Sequence, residues 1–236
     1  AVRLWRNQAG IVAEARGNRR VSGHDTQRLV HEKARLREEM KARLAGIPQA
    51  EREQRSAAIL DRLRSVPAFA ASEQVFTCLS FGAEVDTWPL VEALVREDHR
   101  TVYVPRCGIG DSPMTVHPYP CELQTLSFGL QQPAQSAPAL PDEDIDATLG
   151  CACILGLAFD PETGHRLGYG RGFFDRFLAR HKVTAVALAF EEQLVRGLPH
   201  DGHDVPMGAV VTEAGIYVAG QLLRYNLLTG FTGFTG

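Results

Sequence analysis

Leu29, Leu36, Met40 and Leu44 fall on one stripe at helical spacing and predict a helix over about residues 27–45, ended by Gly46. Pro48 suits the first turn of a second helix, which runs to about residue 64, and Pro67 follows where helices tend to stop. The pattern then changes. Residues 75–81 are a short apolar, β-rich run ended by Gly82. Residues 88–96 read as a helix with Thr87 as its cap and Pro89 near its start. Strands are expected over 101–104, closed by Pro105, and over 115–119, whereas 131–146 hold many Pro, Gln, Ser and Asp and read as loop. Residues 152–155 form a buried strand leading into 156–160. From Gly172 a helix gathers Phe173, Phe174, Phe177 and Leu178 on one face. Residues 184–190 are almost continuously apolar, as strands of a parallel sheet covered on both faces are. Residues 210–212 and 216–218 flank Glu213, Ala214 and Gly215, a tight hairpin. Strands alternating with helices imply a three-layer α/β sandwich, whose ligands lie beyond the carboxyl ends of the strands.

The ends do not share this patterning. Residues 1–26 lack periodicity and read as a loosely ordered lead-in, residues 27–225 as a single domain, and residues 226–236, with their three-residue repeat, as a flexible tail. A content of 44% hydrophobic and 22% charged residues is that of an ordinary globular chain. The net charge of -3 provides no basic field for nucleic acid, which is supported only by the Arg-rich first sixty or so residues. No apolar stretch reaches membrane-spanning length, and the opening residues are too broken by Arg, Asn and Gln for a signal peptide. Five Cys without regular spacing argue against a disulfide framework, and Cys151 and Cys153, in an apolar run, are expected to be buried. A cytoplasmic protein is expected, as a monomer or weak dimer.

Four segments could carry chemistry. In residues 160–176, Gly168, Gly170 and Gly172 alternate directly before a helix and lie among Arg166, Arg171 and Arg176. Glycine lets the backbone approach a ligand, a helix start offers free N–H groups and a positive dipole end, and guanidinium forks suit phosphate oxygens. The alternative is a glycine-rich turn with surface arginines. Neither a Walker A loop nor the dinucleotide fingerprint is present, since no Lys follows the glycines and Phe173 stands where a third glycine is required. Lys33 and Arg37 share a helix face, which either cradles an anion or is simply solvated, with Arg35 paired to Glu38 or Glu39. In residues 80–87, Glu84 falls where a pocket opens, while Asp86 and Thr87 read as helix caps. In residues 199–206, His203 and Asp204 either order a loop or bind metal. The histidines are too few for zinc, and a carboxylate beside magnesium and phosphate is the better fit. No serine nucleophile elbow and no activated cysteine is apparent.

In this order the segments resemble the 5-formyltetrahydrofolate cyclo-ligase family over roughly residues 30–217. The likeness includes 33–37, 80–87, 104–106, 156–160, the specific block 166–175, 189–193, 203–204 and 210–213. The resemblance implies a three-layer α/β/α sandwich with a mostly parallel sheet, of the sugar-phosphate isomerase/CoA-transferase-like kind. It also implies cyclisation of 5-formyltetrahydrofolate to 5,10-methenyltetrahydrofolate with ATP and Mg2+ as cofactors. Lys33, Arg37, Arg166, Leu167, Gly168, Tyr169, Gly170, Arg171, Gly172, Phe173 and Phe174 would bind ATP, with Arg166 and Arg171 catalytic. Leu79, Glu84, Phe128 and Phe173 would contact the folate, and Asp175 and Asp204 the metal. The chain departs from the family where Phe173 and Phe174 replace one or two Tyr, Arg171 a Lys or Gly, Leu155 a Pro, and Gly208 an Asp. Those departures leave room for a divergent nucleotide-binding member, thiamin-related or regulatory. A passive anion-binding module is a further alternative, against which the retained cations and carboxylates speak.

Overall fold

The computed structural model describes residues 23–110, 112–218, 221–226 and 230–234. Most of the expected lead-in, residues 1–22, lies outside them, as do 227–229 and 235–236 of the expected tail. Helix α1 (Gly23–Ala45) buries Leu36, Met40 and Leu44, one side chain per turn. Helix α2 (Gln49–Leu63) buries Ile59, Leu60 and Leu63; Pro48 precedes it as the N-cap rather than entering its first turn. Pro67 does not follow a helix end but opens one, the short α3 (Pro67–Ala70). Strand β1 (Gln74–Thr77) is shorter than the apolar run suggests, because Cys78 to Phe81 leave the sheet to build the turn around Glu84.

Helix α4 (Trp88–Val95) corrects one expectation. The Thr87 side chain does not cap it; the hydroxyl donates to the Cys78 carbonyl at 2.7 Å, and Asp86 Oδ1 instead accepts from the Trp88 N–H at 3.0 Å. Strand β2 (Thr101–Arg106) runs on through Pro105, which pairs opposite Val116 of β3 (Thr115–Tyr119) on the strand side that spares its missing N–H. Residues read as loop hold β5 (Gln131–Pro133), paired with β4 (Leu123–Thr125), and the short helix α5 (Ile145–Thr148). The remaining elements are β6 (Cys151–Ile154), β7 (Ala158–Phe159), β8 (Arg166–Leu167), α6 (Phe173–Arg180), β9 (Thr184–Leu188), β10 (Ala209–Val211), β11 (Ile216–Val218), β12 (Gln221–Asn226) and β13 (Gly230–Phe234). Thus part of the expected tail pairs with β12.

The main sheet has the order β13-β12-β11-β10-β9-β6-β1-β2-β3. The run β10, β9, β6, β1, β2 is parallel throughout, and antiparallel strands extend it at both sides. Successive side chains of one strand serve opposite faces. Cys151 and Cys153 point into the core shared with α1, α2 and α4, whereas Ala152 and Ile154 point into the core shared with α5 and α6. These two cores make the three-layer sandwich. Among the described residues no helix is long and apolar enough to cross a membrane.

Candidate active site

At the carboxyl ends of β1, β2 and β6 a cleft of about 900 Å3 opens, and each sequence-derived site residue lines it: Lys33, Arg37, Leu79, Glu84, Phe128, residues 166–174, Asp175 and Asp204. Five separate stretches of chain therefore meet at one place. Sheet topology explains why: the loops after adjacent parallel strands emerge side by side.

The hairpin β7–β8 carries Arg166 in register with Phe159. Its turn is held by Asp160, which is 1% exposed. Oδ1 accepts from the Glu162 N–H at 2.8 Å and Oδ2 from the Gly197 N–H at 3.0 Å. Burial disfavours the Asp160 carboxylate, but the N–H donors of Glu162, Leu198 and Thr163 outweigh it and hold its pKa below the ordinary carboxylate value. One buried carboxylate thus fixes the hairpin bearing Arg166 against the segment leading to Asp201 and Asp204.

Arg166 is buried. Its Nη2 donates to Asp175 Oδ2 at 3.0 Å, its guanidinium lies over the Phe174 ring at 5.4 Å, and its Nε is buried with no acceptor. An unmet donor on a buried cation is costly unless water or a ligand supplies the acceptor. Beyond it, Gly170 adopts φ 96°, and a Cβ there would come within 3.2 Å of the Arg37 guanidinium carbon. That position needs glycine for its left-handed backbone, and a Cβ there would also press on the Arg37 guanidinium. Arg37 Nε also donates to the Gly168 carbonyl at 2.9 Å, so the glycine turn is clamped to α1. Gly172, at φ 62°, starts α6, and no side chain caps that helix. Its first N–H groups therefore remain available to an anion.

The rest of α1's contribution is less open than the sequence suggests. Lys33 donates to Asp201 at 3.0 Å and to Asp204 at 2.6 Å. Burial lowers its pKa, and the bonds to those two carboxylates more than reverse this, leaving it raised. The repulsion expected between Lys33 and Arg37 is thus relieved by protein carboxylates. Arg35 pairs with Glu39 on the solvent side, as one of the sequence readings had it. Asp201 escaped the sequence reading, although the spacing of Asp201 and Asp204 was visible in the segment. Asp204 and Asp175 both face the cleft and each already holds a cation.

Glu84 is nearly buried. Its Oε2 accepts from the Phe81 N–H at 3.1 Å and its Oε1 from the Tyr169 hydroxyl at 3.0 Å. Burial pushes its pKa up to about 7, partly opposed by both donors. Phe81 lies 5.6 Å from Phe128 and 5.8 Å from Tyr169, ring centre to ring centre, making an aromatic wall beside the carboxyl. Phe128 and Tyr169 are 61% and 45% exposed, which is unusual for large rings and marks a surface for an apolar ligand. The site thus joins an anion-seeking end to a flat aromatic end with one buried acceptor.

The family model described as the 5-formyltetrahydrofolate cyclo-ligase family matches residues 30–213. The chain belongs to that family. It is 31% identical to the 5-formyltetrahydrofolate cyclo-ligase of Escherichia coli K12 over 66% of this chain and 86% of the relative. With the mouse protein of the same name identity is 28% over 75% of this chain and 92% of the relative. Among solved structures, Aquifex aeolicus 5,10-methenyltetrahydrofolate synthetase superposes with a TM-score of 0.66 at 27% identity, covering 84% of this chain and 98% of the other. The Mycoplasma pneumoniae synthetase, at 17% identity and a TM-score of 0.60, shares the fold over 77% of this chain and 99% of the other.

Proposed function

We propose that this chain catalyses the ATP-dependent cyclisation of 5-formyltetrahydrofolate to 5,10-methenyltetrahydrofolate, with release of ADP and phosphate. The observation that carries the reading is the buried Arg166 with its unmet donor, facing the same cleft as the aromatic wall and Glu84. One end suits a triphosphate, the other a pterin.

A formamide oxygen is a poor leaving group. Transfer of the γ-phosphoryl group to it makes a good one; N10 then attacks the activated carbon, the ring closes, and phosphate departs with the former formyl oxygen while the N10 proton is lost to that phosphate. The protein supplies positioning and charge stabilisation. Arg37 and the uncapped start of α6 hold the phosphates. Arg166 and Arg171 face the charge that grows on the transferring group. Glu84 accepts from pterin ring N–H donors, and these favour its ionised form. Lys33 turns from its carboxylates toward the phosphates. Phe173 and Phe174, where a tyrosine is usual, serve as apolar supports: Phe174 lies under Arg166, and Phe173 under Arg171 at 5.9 Å and Arg176 at 5.2 Å.

Asp175 and Asp204 are the residues that would hold Mg2+, with Lys33 and Arg166 released to the nucleotide. No group of three or more His, Cys, Asp or Glu among the described residues could hold a metal ion unaided. That fits an ion carried mainly by water and phosphate oxygens, which neutralises phosphate charge when bound. We place the reaction in the cytoplasm, where the free thiols of all five cysteines are at home. The test is incubation with 5-formyltetrahydrofolate and Mg-ATP. Methenyl absorbance should rise in step with ADP; ADP formation without it would sink the reading.

A further inference from the structure

The cations of the cleft differ in what balances them. Lys33 has Asp201 and Asp204, Arg166 has Asp175, and Lys41 has Glu38. Arg37, Arg106 and Arg171 have no carboxylate partner among the described residues. Two of these belong to the glycine turn, since Arg37 bonds its Gly168 carbonyl and Arg171 lies within it. Arg106 does not. It is the last residue of β2, and β2 is separated from β6 by β1. The glycine turn follows the hairpin beyond β6, whereas Leu79 and Glu84 follow β1. Arg106 therefore enters the cleft beyond Leu79 and Glu84, on the side away from the β6 loop and next to the β4–β5 hairpin.

Its surroundings narrow its role. Nη1 donates to the Pro133 carbonyl at 2.8 Å. Pro133 lies at the base of the β4–β5 hairpin, whose turn carries Phe128. The other guanidinium N–H groups have no acceptor among the described residues. A half-buried cation so placed, oriented by one carbonyl and lacking a counter-charge, is prepared for an anion from outside. A folate carries such anions on its glutamyl group, at the end remote from N5 and N10.

We infer that Arg106 anchors a glutamyl carboxylate of the folate and so sets specificity for the tail; the inference rests on the folate reading above. Charge-assisted contact with a part of the substrate that does not react is uniform binding, so it lowers KM and leaves kcat alone.

The test compares 5-formyltetrahydrofolate with 5-formyltetrahydropteroate, the same molecule without glutamate, on the full chain and on Arg106→Gln. The glutamine keeps a donor for Pro133 and loses the charge. The variant should raise KM for the glutamyl compound about tenfold, with kcat and the KM for ATP within about twofold of the parent. On the truncated compound the two proteins should have the same KM. Arg106→Lys should recover part of the loss, which also keeps the question answerable if the glutamine variant folds poorly. An equal rise in KM on both compounds, or a rise in the KM for ATP, overturns the assignment. Should the parent protein turn over both compounds with equal KM, the assignment falls and the folate reading survives. Turnover of neither compound overturns the folate reading, and the assignment with it.

Discussion

The carboxyl edge of the sheet has two halves with opposite charge balance. Over β1, β2 and β6 the cleft gathers Lys33, Arg37, Arg106, Arg166 and Arg171, and there a buried donor, Arg166 Nε, lacks an acceptor. Over β9 and β10 the residues Glu191, Glu192 and Glu213 leave the strands, and Arg55 of α2 pairs with Glu51, Glu192 and Glu213. There a buried acceptor, Glu192 Oε2, lacks a donor. Helix α1 bridges the halves: Arg37 clamps the glycine turn, and Arg43 donates to the Glu192 carbonyl at 3.1 Å. A cluster short of donors, tied by one arginine to a helix and two turns, is a fastening. A cluster short of acceptors beside an open cavity awaits a ligand.

The largest expected effect separates these roles. Arg166→Ala should lower kcat by about 10²–10³, the cost of losing one preorganised donor to transition-state charge. Its loss also leaves Asp175 unpaired, so stability should drop as well, and turnover is read on folded protein well below the variant's melting temperature. Near-parental turnover would remove Arg166 from the chemistry and break the contrast.

Next in size is Glu84. Its folded pKa, about 7, lies above the ordinary glutamate value, so the folded state holds a proton that the unfolded chain has released. Stability must then fall as pH rises from about 4.5 to 7, by about 3 kcal/mol, and level off above. Glu84→Gln should abolish that slope, and denaturant midpoints across the window will show it. Tyr169→Phe removes a donor that favours the carboxylate and should move the titration upward. Coincident pH profiles for the parent protein and Glu84→Gln would mean that the cleft is wetter than the geometry indicates.

Arg55→Met should differ from Arg166→Ala in rate: about 1–2 kcal/mol of lost stability with kcat within about twofold. Its side chain is 24% exposed, so the loss is smaller than for a fully buried pair. A large drop in kcat with unchanged stability would erase the distinction between the two halves.

Much of this contrast was legible in the sequence, but unevenly. The apolar stripe of α1 and the continuous run of β9 announced themselves because burial leaves a periodic record. So did the glycine turn, because Gly170 and Gly172 meet backbone demands that other residues cannot. What did not show was pairing across the fold. Lys33 and Asp201 lie 168 positions apart, and no local pattern links them. Thr87 looked like a cap because capping is a local rule; its hydroxyl was instead taken by the Cys78 carbonyl, a tertiary contact. The reach of Tyr169 to Glu84 was equally hidden. It puts a tyrosine hydroxyl at the site by another route than the Phe173 and Phe174 positions. Local conformation reads off the chain, whereas charge balance is decided by what the fold brings near.

The smallest prediction concerns the boundary between the halves. Asp201 shares Lys33 with Asp204 but is itself 38% exposed, so its ion pair is worth only about 0.5 kcal/mol. Burial raises the Asp201 pKa, yet the His203 N–H and Lys33 outweigh it and leave it lowered. The pair's stabilisation is therefore present above the ordinary carboxylate range and lost as pH falls through the depressed value. Asp201→Asn should give a slightly less stable protein at neutral pH, with the gap closing in acid. Its kinetic signature is what decides. If Lys33 must leave its carboxylates to meet phosphate, removing Asp201 weakens the hold that competes with ATP, and the KM for ATP should fall or stay level while stability drops. If Asp201 instead keeps Lys33 aimed at the nucleotide, the KM for ATP rises a few-fold. The first outcome assigns Asp201 to the resting state of the cleft; the second makes it part of the binding machinery and moves the boundary toward β10.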